Sequence, residues 1–509
     1  MSRVAVATTS QLAADAAREV AEVGGNAVDC ALAAALLTIN AEPGVCALGG
    51  SAFITIWRDG DDPVTIDGNV AVPGKGLADE ERGRGAVEVT MDYGGGIRTL
   101  VGPGSVAVPG TLAAIEEAWN HYGKAAWRDI FAPTIRACRE GFPLSGACRY
   151  YLGYSGKLVF DRSEDGYNAL HHADGTLLDT GDTVHIPHLA DTLSAIADDG
   201  AHIFYQGEIA HAIADHCRNG EGALTRKDLS SYRAIERKPL LTEVGGWQLA
   251  TNPPPAVGGA VLSAMLLACA DLEVERWDSE ALAQLIAAQR ACLDYRQTHL
   301  DLADDIGPVA EKLVESARSG RLLSRWTSAS TVHTSVVDDA GNGCAVTASS
   351  GYGSGEMPAG TGLWLNNCLG EIELNRRGLD AGPPGVRLPS NMAPSVARRD
   401  GTVLAVGSPG ADRITTALQQ FLINYLQMDM PLARAIAHPR VHVDTSGDDV
   451  LLKAEAGLEL PEVDLPVTEF PELVMYFGGV GAAVYDRAKG FDVGADPRRE
   501  GGIFNPDAR

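Results

Sequence analysis

The chain of 509 residues contains no apolar run that reaches the ~18 residues a membrane-spanning helix needs. Its longest apolar stretches, 30–37 and 260–270, are alanine-rich and read as buried helices. Residues 1–10 hold no apolar leader core, so no secretory signal is expected. The nine cysteines are scattered, odd in number and form no C-x-x-C pair, which fits a reduced, cytoplasmic protein rather than a disulfide scaffold. Positive charge is scarce: 41 Lys+Arg against 67 Asp+Glu leave a net charge of −26. Such a surface repels phosphate backbones and anionic lipid, so neither a nucleic acid nor a membrane is expected as partner. The twelve histidines form no metal-spaced cluster with cysteine; His171-His172, His185/His188 and His438/His442 are the nearest pairs, and no metal is expected. There is no Walker A motif and no G-x-S-x-G nucleophile elbow. Gly351-Tyr352-Gly353-Ser354-Gly355 imitates a phosphate loop, but Pro358 and Gly360 follow where a helix should start, so it reads as a structural or active-site loop.

What is present is an ordinary globular composition, 45% hydrophobic and 21% charged. The length allows roughly three domains or one large interdigitated fold. Helical spacing runs over 11–23 and 27–40, broken by Gly24-Gly25-Asn26. Further helices are predicted at 111–121, 127–141, 186–199, 207–219, 257–270 and 279–303, with strands at 52–57 and 63–66 and a loop at Gly94-Gly95-Gly96. Near residue 327 the texture changes. A β-rich run at 331–337, a turn containing Gly341-Asn342-Gly343 and a second run at 344–349 predict a hairpin. A strand at 402–406, a tight loop at 407–410, a helix at 414–426 and strands at 441–443, 450–455 and 482–486 follow, without tandem repeats.

The stretch from Thr327 to Asp338 runs a hydroxyl-rich loop straight into a strand. Alone, it reads as an exposed linker before a hairpin. It stands, however, in a series of blocks. These are Gly24-Gly25-Asn26-Ala27-Val28-Asp29 with Glu42-Pro43 and Leu48-Gly49-Gly50, Ala107-Val108-Pro109-Gly110-Thr111, and Phe204-Tyr205-Gln206-Gly207 with Leu224–Leu229 and Tyr232. Then come Pro253-Pro254-Pro255 with Gly258-Gly259, Thr331-Val332-His333-Thr334-Ser335-Val336-Val337-Asp338, Leu365-Asn366-Asn367 and Gly407-Ser408-Pro409-Gly410-Ala411-Asp412. In this order they resemble the γ-glutamyltransferase (glutathione hydrolase) family of N-terminal-nucleophile hydrolases.

The resemblance implies an α+β fold, a four-layer αββα sandwich. It also implies self-cleavage between Ser330 and Thr331 into a large subunit, 1–330, and a small one, 331–509, paired after the cut and able to dimerise further. The expected substrate is a small-molecule amide, and no cofactor is required. A threonine hydroxyl is a poor nucleophile without a base. Cleavage would supply one on the same residue, an α-amino group with a pKa near ~8. By the same resemblance Ser349 tunes the Thr331 hydroxyl, and Gly410 and Ala411 offer backbone N–H groups to an oxyanion. Asn367, with Asn366, orders the backbone near the site or is a buried structural amide. Glu371 takes the donor's amino group, and Ser390 and Asn391 stand where the family has a Ser-Ser pair. Asn69, in Ile66-Asp67-Gly68-Asn69, replaces the arginine that clamps the donor's α-carboxylate. Arg387 and Arg413 are candidates for a relocated cation, with structural roles the equal alternative. The leading reading is therefore a γ-glutamyltransferase-like hydrolase. A second keeps fold and nucleophile but changes the substrate, to another small amide or a natural-product intermediate, even at a carbon–carbon bond. A third is an unprocessed relative with a binding role.

Overall fold

The computed structural model describes residues 2–92, 96–270, 272, 276–319, 331–372, 374–445 and 449–508. Ser330 and most of the predicted 94–96 loop lie outside the described residues. The strands of the two main sheets are, in chain order, β1 (Val4–Thr8), β2 (Ser51–Trp57), β3 (Val64–Gly68), β4 (Ile235–Arg237), β5 (Leu240–Val244), β6 (Trp247–Thr251), β7 (Val332–Asp338), β8 (Gly343–Ser349), β9 (Ser395–Arg399), β10 (Thr402–Gly407), β11 (Gly481–Asp486), β12 (Gly490–Ala495) and β13 (Gly502–Phe504). The first sheet has the order β13-β1-β7-β8-β2-β3-β4 and the second β12-β11-β10-β9-β6-β5. All neighbours pair antiparallel.

Each sheet greases its outer face against helices. On the first lie α1 (Gln11–Glu22), α2 (Ala27–Ala41) and α3 (Thr111–Tyr122), in one apolar cluster with Val6, Val332, Val336, Val346 and Ile54, and α4 (Trp127–Glu140) stacks on α2. On the second lie α5 (Gly258–Leu267), α6 (Ser279–Tyr295), α7 (Ile306–Arg318) and α8 (Arg413–Leu422), packed on Leu249, Ala397, Leu404 and Val484. Between the sheets sits a thin layer of small apolar residues, among them Ala5, Val337, Ala345, Val396, Val403 and Ala483. The architecture is the expected four-layer αββα sandwich.

Local chemistry explains the central pieces. The Asn26 side chain accepts from Val28 N and Asp29 N while the Asp29 carboxylate takes Asn26 N, a capping box that starts α2. Residues 27–40 of that helix are buried on every side, as an all-apolar helix must be. The β7–β8 hairpin closes on Asp338, whose carboxylate accepts from Ala340 N, Asn342 N and, from α2, Ala27 N. The segment after α6, Arg296–Leu300, is a π-turn rather than the regular helix expected to 303, as is Ile423–Gln427 after α8. β1 was not foreseen: Val-Ala-Val-Ala-Thr is buried throughout and so lacks the alternation that marks a half-buried strand. Strands from both sides of position 330 share both sheets, so the two expected fragments form one interdigitated body.

Candidate active site

Side chains alternate along β7. Val332 and Val336 face the helices, whereas His333 and Ser335 face the second sheet, where Ser335 Oγ donates to Gly481 O at 3.1 Å. Thr331, on the same parity, therefore belongs to the inter-sheet side. The β7–β8 register pairs Val332 with Ala348, and one further step sets Thr331 opposite Ser349. In turn Ser349 pairs with Ser51 on β2. Three hydroxyl residues thus form one row across the centre of the sheet. Thr331 is 3% exposed and Ser349 8%. Ser51 Oγ donates to Ser349 O at 3.0 Å, and Gly351 N donates to Ser349 Oγ at 3.2 Å. A glycine at position 50 is obligatory here, because a Cβ would lie 2.4 Å from Ser349 O. Ser51 escaped the sequence reading: a lone serine after Gly49-Gly50 carries no pattern until the strand pairing is known.

The row opens into a small cleft whose walls hold Asn69, Glu371, Ser390 and Asn391 together with Thr331 and Ser349. Residues from six separate segments converge there, Ser51 among them. Asn367 does not line it. Its Oδ1 accepts from Tyr352 N at 2.7 Å and its Nδ2 donates to Thr99 Oγ1 at 2.9 Å, so it ties loops together behind the wall.

His333 is the histidine nearest in sequence to Thr331, and its geometry disqualifies it as a ready base. One ring nitrogen lies 2.8 Å from Thr347 Oγ1 and the other 2.7 Å from Ser335 Oγ. Burial lowers its pKa to about 3.

Gly410 and Ala411 are not among the cleft-lining residues but sit one residue from its frame. Asn391 Nδ2 donates to Asp412 Oδ1 at 2.6 Å, and Arg296 Nη1 meets the same oxygen at 2.6 Å. Arg296 also binds the buried Asp301 at 3.1 Å, whose carboxyl burial raises to about 6 against the opposing pull of that guanidinium. The π-turn after α6 thus delivers a buried cation to the base of the 407–412 loop. Ala411 holds φ at 65°, a left-handed conformation that costs a non-glycine residue roughly 1 kcal/mol. Behind the loop, Gly479 N donates to Ser408 Oγ at 3.0 Å and Arg413 Nε to Tyr476 O at 3.0 Å.

The recognition side is spent on the protein itself. Asn69 Nδ2 donates to Leu388 O at 2.6 Å. Arg387 lies 3.5 Å from Asp67, donates to Arg233 O at 2.6 Å and stacks 4.2 Å over Tyr232. Arg413 stacks 4.6 Å over Tyr476. Both arginines are engaged structurally and neither lines the cleft. Glu371 is buried beside Cys368, whose thiol is pushed well above its usual range by burial and then by that carboxylate. Among the described residues no three His, Cys, Asp or Glu side chains gather as a metal site, and no helix is long and apolar enough to cross a membrane.

The sandwich, with a hydroxyl row at the mouth between its sheets, defines an N-terminal-nucleophile hydrolase fold, the class of amide hydrolases and acyltransferases. A solved cephalosporin acylase from Bacillus halodurans shares the fold, with a TM-score of 0.80 at 22% identity over 100% of this chain and 96% of that one. The chain belongs to the gamma-glutamyltranspeptidase family, whose model matches residues 13–505. It is 28% identical to a glutathione hydrolase proenzyme of Escherichia coli strain K12, covering 89% of this chain and 82% of that one, and 29% identical to one from Pseudomonas aeruginosa over 86% and 82%. The gamma-glutamyltranspeptidase of Helicobacter pylori superposes with a TM-score of 0.51 at 25% identity, over 60% of this chain and 89% of that one.

Proposed function

We propose that the chain is an N-terminal-threonine hydrolase of this family that matures by cutting itself between Ser330 and Thr331. The Thr331 hydroxyl attacks the Ser330 carbonyl carbon, the C–N bond breaks, and the acyl group moves to oxygen as an ester. Water hydrolyses that ester, leaving a carboxylate on Ser330 and a free amine on Thr331. In the mature protein this amine accepts the hydroxyl proton as Thr331 attacks a substrate amide. The leaving amine takes the proton away, and water or a second amine collects the acyl group. Ser349 hydrogen-bonds the reacting hydroxyl, and the amides of Gly410 and Ala411, ahead of α8, stabilise the oxyanion. Glu371, Ser390 and Asn391 frame the acyl group.

One observation carries this reading: the β7–β8–β2 register lines up Thr331, Ser349 and Ser51 at the cleft. The engaged His333 strengthens it by leaving the α-amine as the base. A γ-glutamyl group is the family's donor; the Asn69 amide held on Leu388 O favours a donor other than the standard one. The test is an acid-quenched reaction with an activated acyl anilide, followed by peptide mapping. An acyl adduct on the peptide beginning at Thr331 is expected; turnover with the adduct elsewhere refutes the assignment.

A further inference from the structure

The cleft residue Asn69 is held from three sides. Its backbone N–H donates to Asp67 Oδ1 at 2.9 Å, its Nδ2 donates to Leu388 O at 2.6 Å, and its carbonyl accepts from the Tyr232 hydroxyl. The first bond is a local turn, whereas the Tyr232 bond spans 163 residues. Burial pushes the Tyr232 phenol far above its ordinary pKa, against the pull of Arg387, so the hydroxyl keeps its proton to donate. The ring is braced in turn. It packs 4.2 Å from the Arg387 guanidinium and stacks on Tyr205 at 5.8 Å and 8°. Tyr205 Oη accepts from Ala113 N at 3.1 Å, at the start of α3. Beside the hydroxyl only a glycine fits: a Cβ at Gly110 would lie 2.0 Å from Tyr232 Oη. Asp67 and Tyr232 bind backbone atoms of position 69, so their hold does not depend on the side chain there. Of the three bonds, only the one to Leu388 O is lost when that side chain is exchanged.

We propose that Tyr232 is a positioning residue for donor recognition: by holding the Asn69 carbonyl, it fixes where the side chain at position 69 meets the acyl group in the cleft. This rests on the hydrolase reading above and deepens it. Tyr232 is not itself among the cleft-lining residues, so it acts through position 69. An anchored backbone presents any side chain placed there in one direction, which is what a recognition contact needs.

The experiment measures hydrolysis of γ-glutamyl p-nitroanilide by the purified, fully incubated full-length gene product as parent, Tyr232→Phe, Asn69→Arg and the double variant. Tyr232→Phe keeps the ring and removes only the hydroxyl. It should still cut itself completely and raise KM at least about fivefold, with kcat within about threefold, because the hydroxyl row stands on other strands. Asn69→Arg should raise kcat/KM about tenfold in the parent and less than about threefold in the Tyr232→Phe background, where the new guanidinium is no longer aimed. A purely structural role would lower both members of each pair alike and keep the tenfold gain. An undiminished gain overturns the proposal, as does a parent-like KM in Tyr232→Phe or the absence of any gain from Asn69→Arg in the parent. If neither the parent nor Asn69→Arg cleaves the anilide while 4-nitrophenyl acetate acylates Thr331, the proposal falls and the hydrolase reading stands. An uncut chain without any Thr331 adduct removes the hydrolase reading itself, and the positioning role with it.

Discussion

The two walls of the cleft are built differently. One is the hydroxyl row, carried on adjoining strands at the middle of the seven-stranded sheet and fixed by register. The other consists of connecting segments around Asn69, Cys368–Asn375 and Pro389–Met392, tied outside any regular strand by backbone bonds such as Leu388 N to Val70 O and Val257 N to Ser390 O and by side-chain bonds such as Asn69 Nδ2 to Leu388 O. The strand wall cannot move a hydroxyl without shifting a paired strand. A connecting segment can exchange a side chain at the cost of one hydrogen bond, about 1 kcal/mol. On the reading proposed above, chemistry sits on paired strands and recognition on connecting segments, where Asn69 stands in place of the arginine that the family resemblance implies.

The largest expected effect breaks the strand wall outright. Thr331→Ala should remain a single chain on a denaturing gel and lose at least about 10³-fold in turnover; a cut chain in that variant would mean that another residue starts processing. Ser349→Ala comes next. It removes the hydrogen bond proposed for the reacting oxygen, and kcat should fall about 10–100-fold with KM little changed, the expectation for a bond to a charge that develops in the transition state. On the other wall, Asn69→Arg should raise turnover of a γ-glutamyl anilide by about tenfold and leave self-cleavage intact, as read by anilide rates and a denaturing gel. Ser51→Ala should cost only a few-fold in kcat, because Ser51 Oγ holds the Ser349 carbonyl rather than the reacting atoms.

The smallest effect concerns pH. The limb of kcat/KM that rises with pH should follow the Thr331 amine, near ~8, and persist in His333→Gln. Stability should behave otherwise. His333 is neutral when folded, burial holding its pKa at about 3 against the ordinary 6.5, so the unfolded chain binds the extra proton below 6.5. Its contribution to stability is thus complete above pH 6.5 and declines as pH falls toward 3. Melting temperatures measured from pH 7 to 5 should drop less steeply in His333→Gln than in the parent.

Single helices and strands were legible in the sequence wherever a local pattern repeats, whereas the four-layer sandwich followed from the family resemblance. α1 and α2 showed in helical spacing broken by Gly24-Gly25-Asn26, and the β7–β8 hairpin in two β-rich runs around Gly341-Asn342-Gly343. β1 was not, because a strand buried on both faces has no polar beat. The cleft was legible in part. Family-like blocks singled out Thr331, Ser349, Glu371 and Asn69, all of which the fold brings to one place. Ser51 was hidden, since its role exists only through a partner 298 residues away. The engagement of Arg387 with Asp67 and Tyr232 was hidden for the same reason. Long-range pairing decides which polar groups are still available to a substrate, and no spacing rule encodes it.

The most direct test of the central claim is the intact mass and N-terminal sequence of the purified, fully incubated protein. The account predicts two chains, one of them beginning Thr331-Val332-His333. A single uncut chain that nevertheless turns over amide substrate would contradict it.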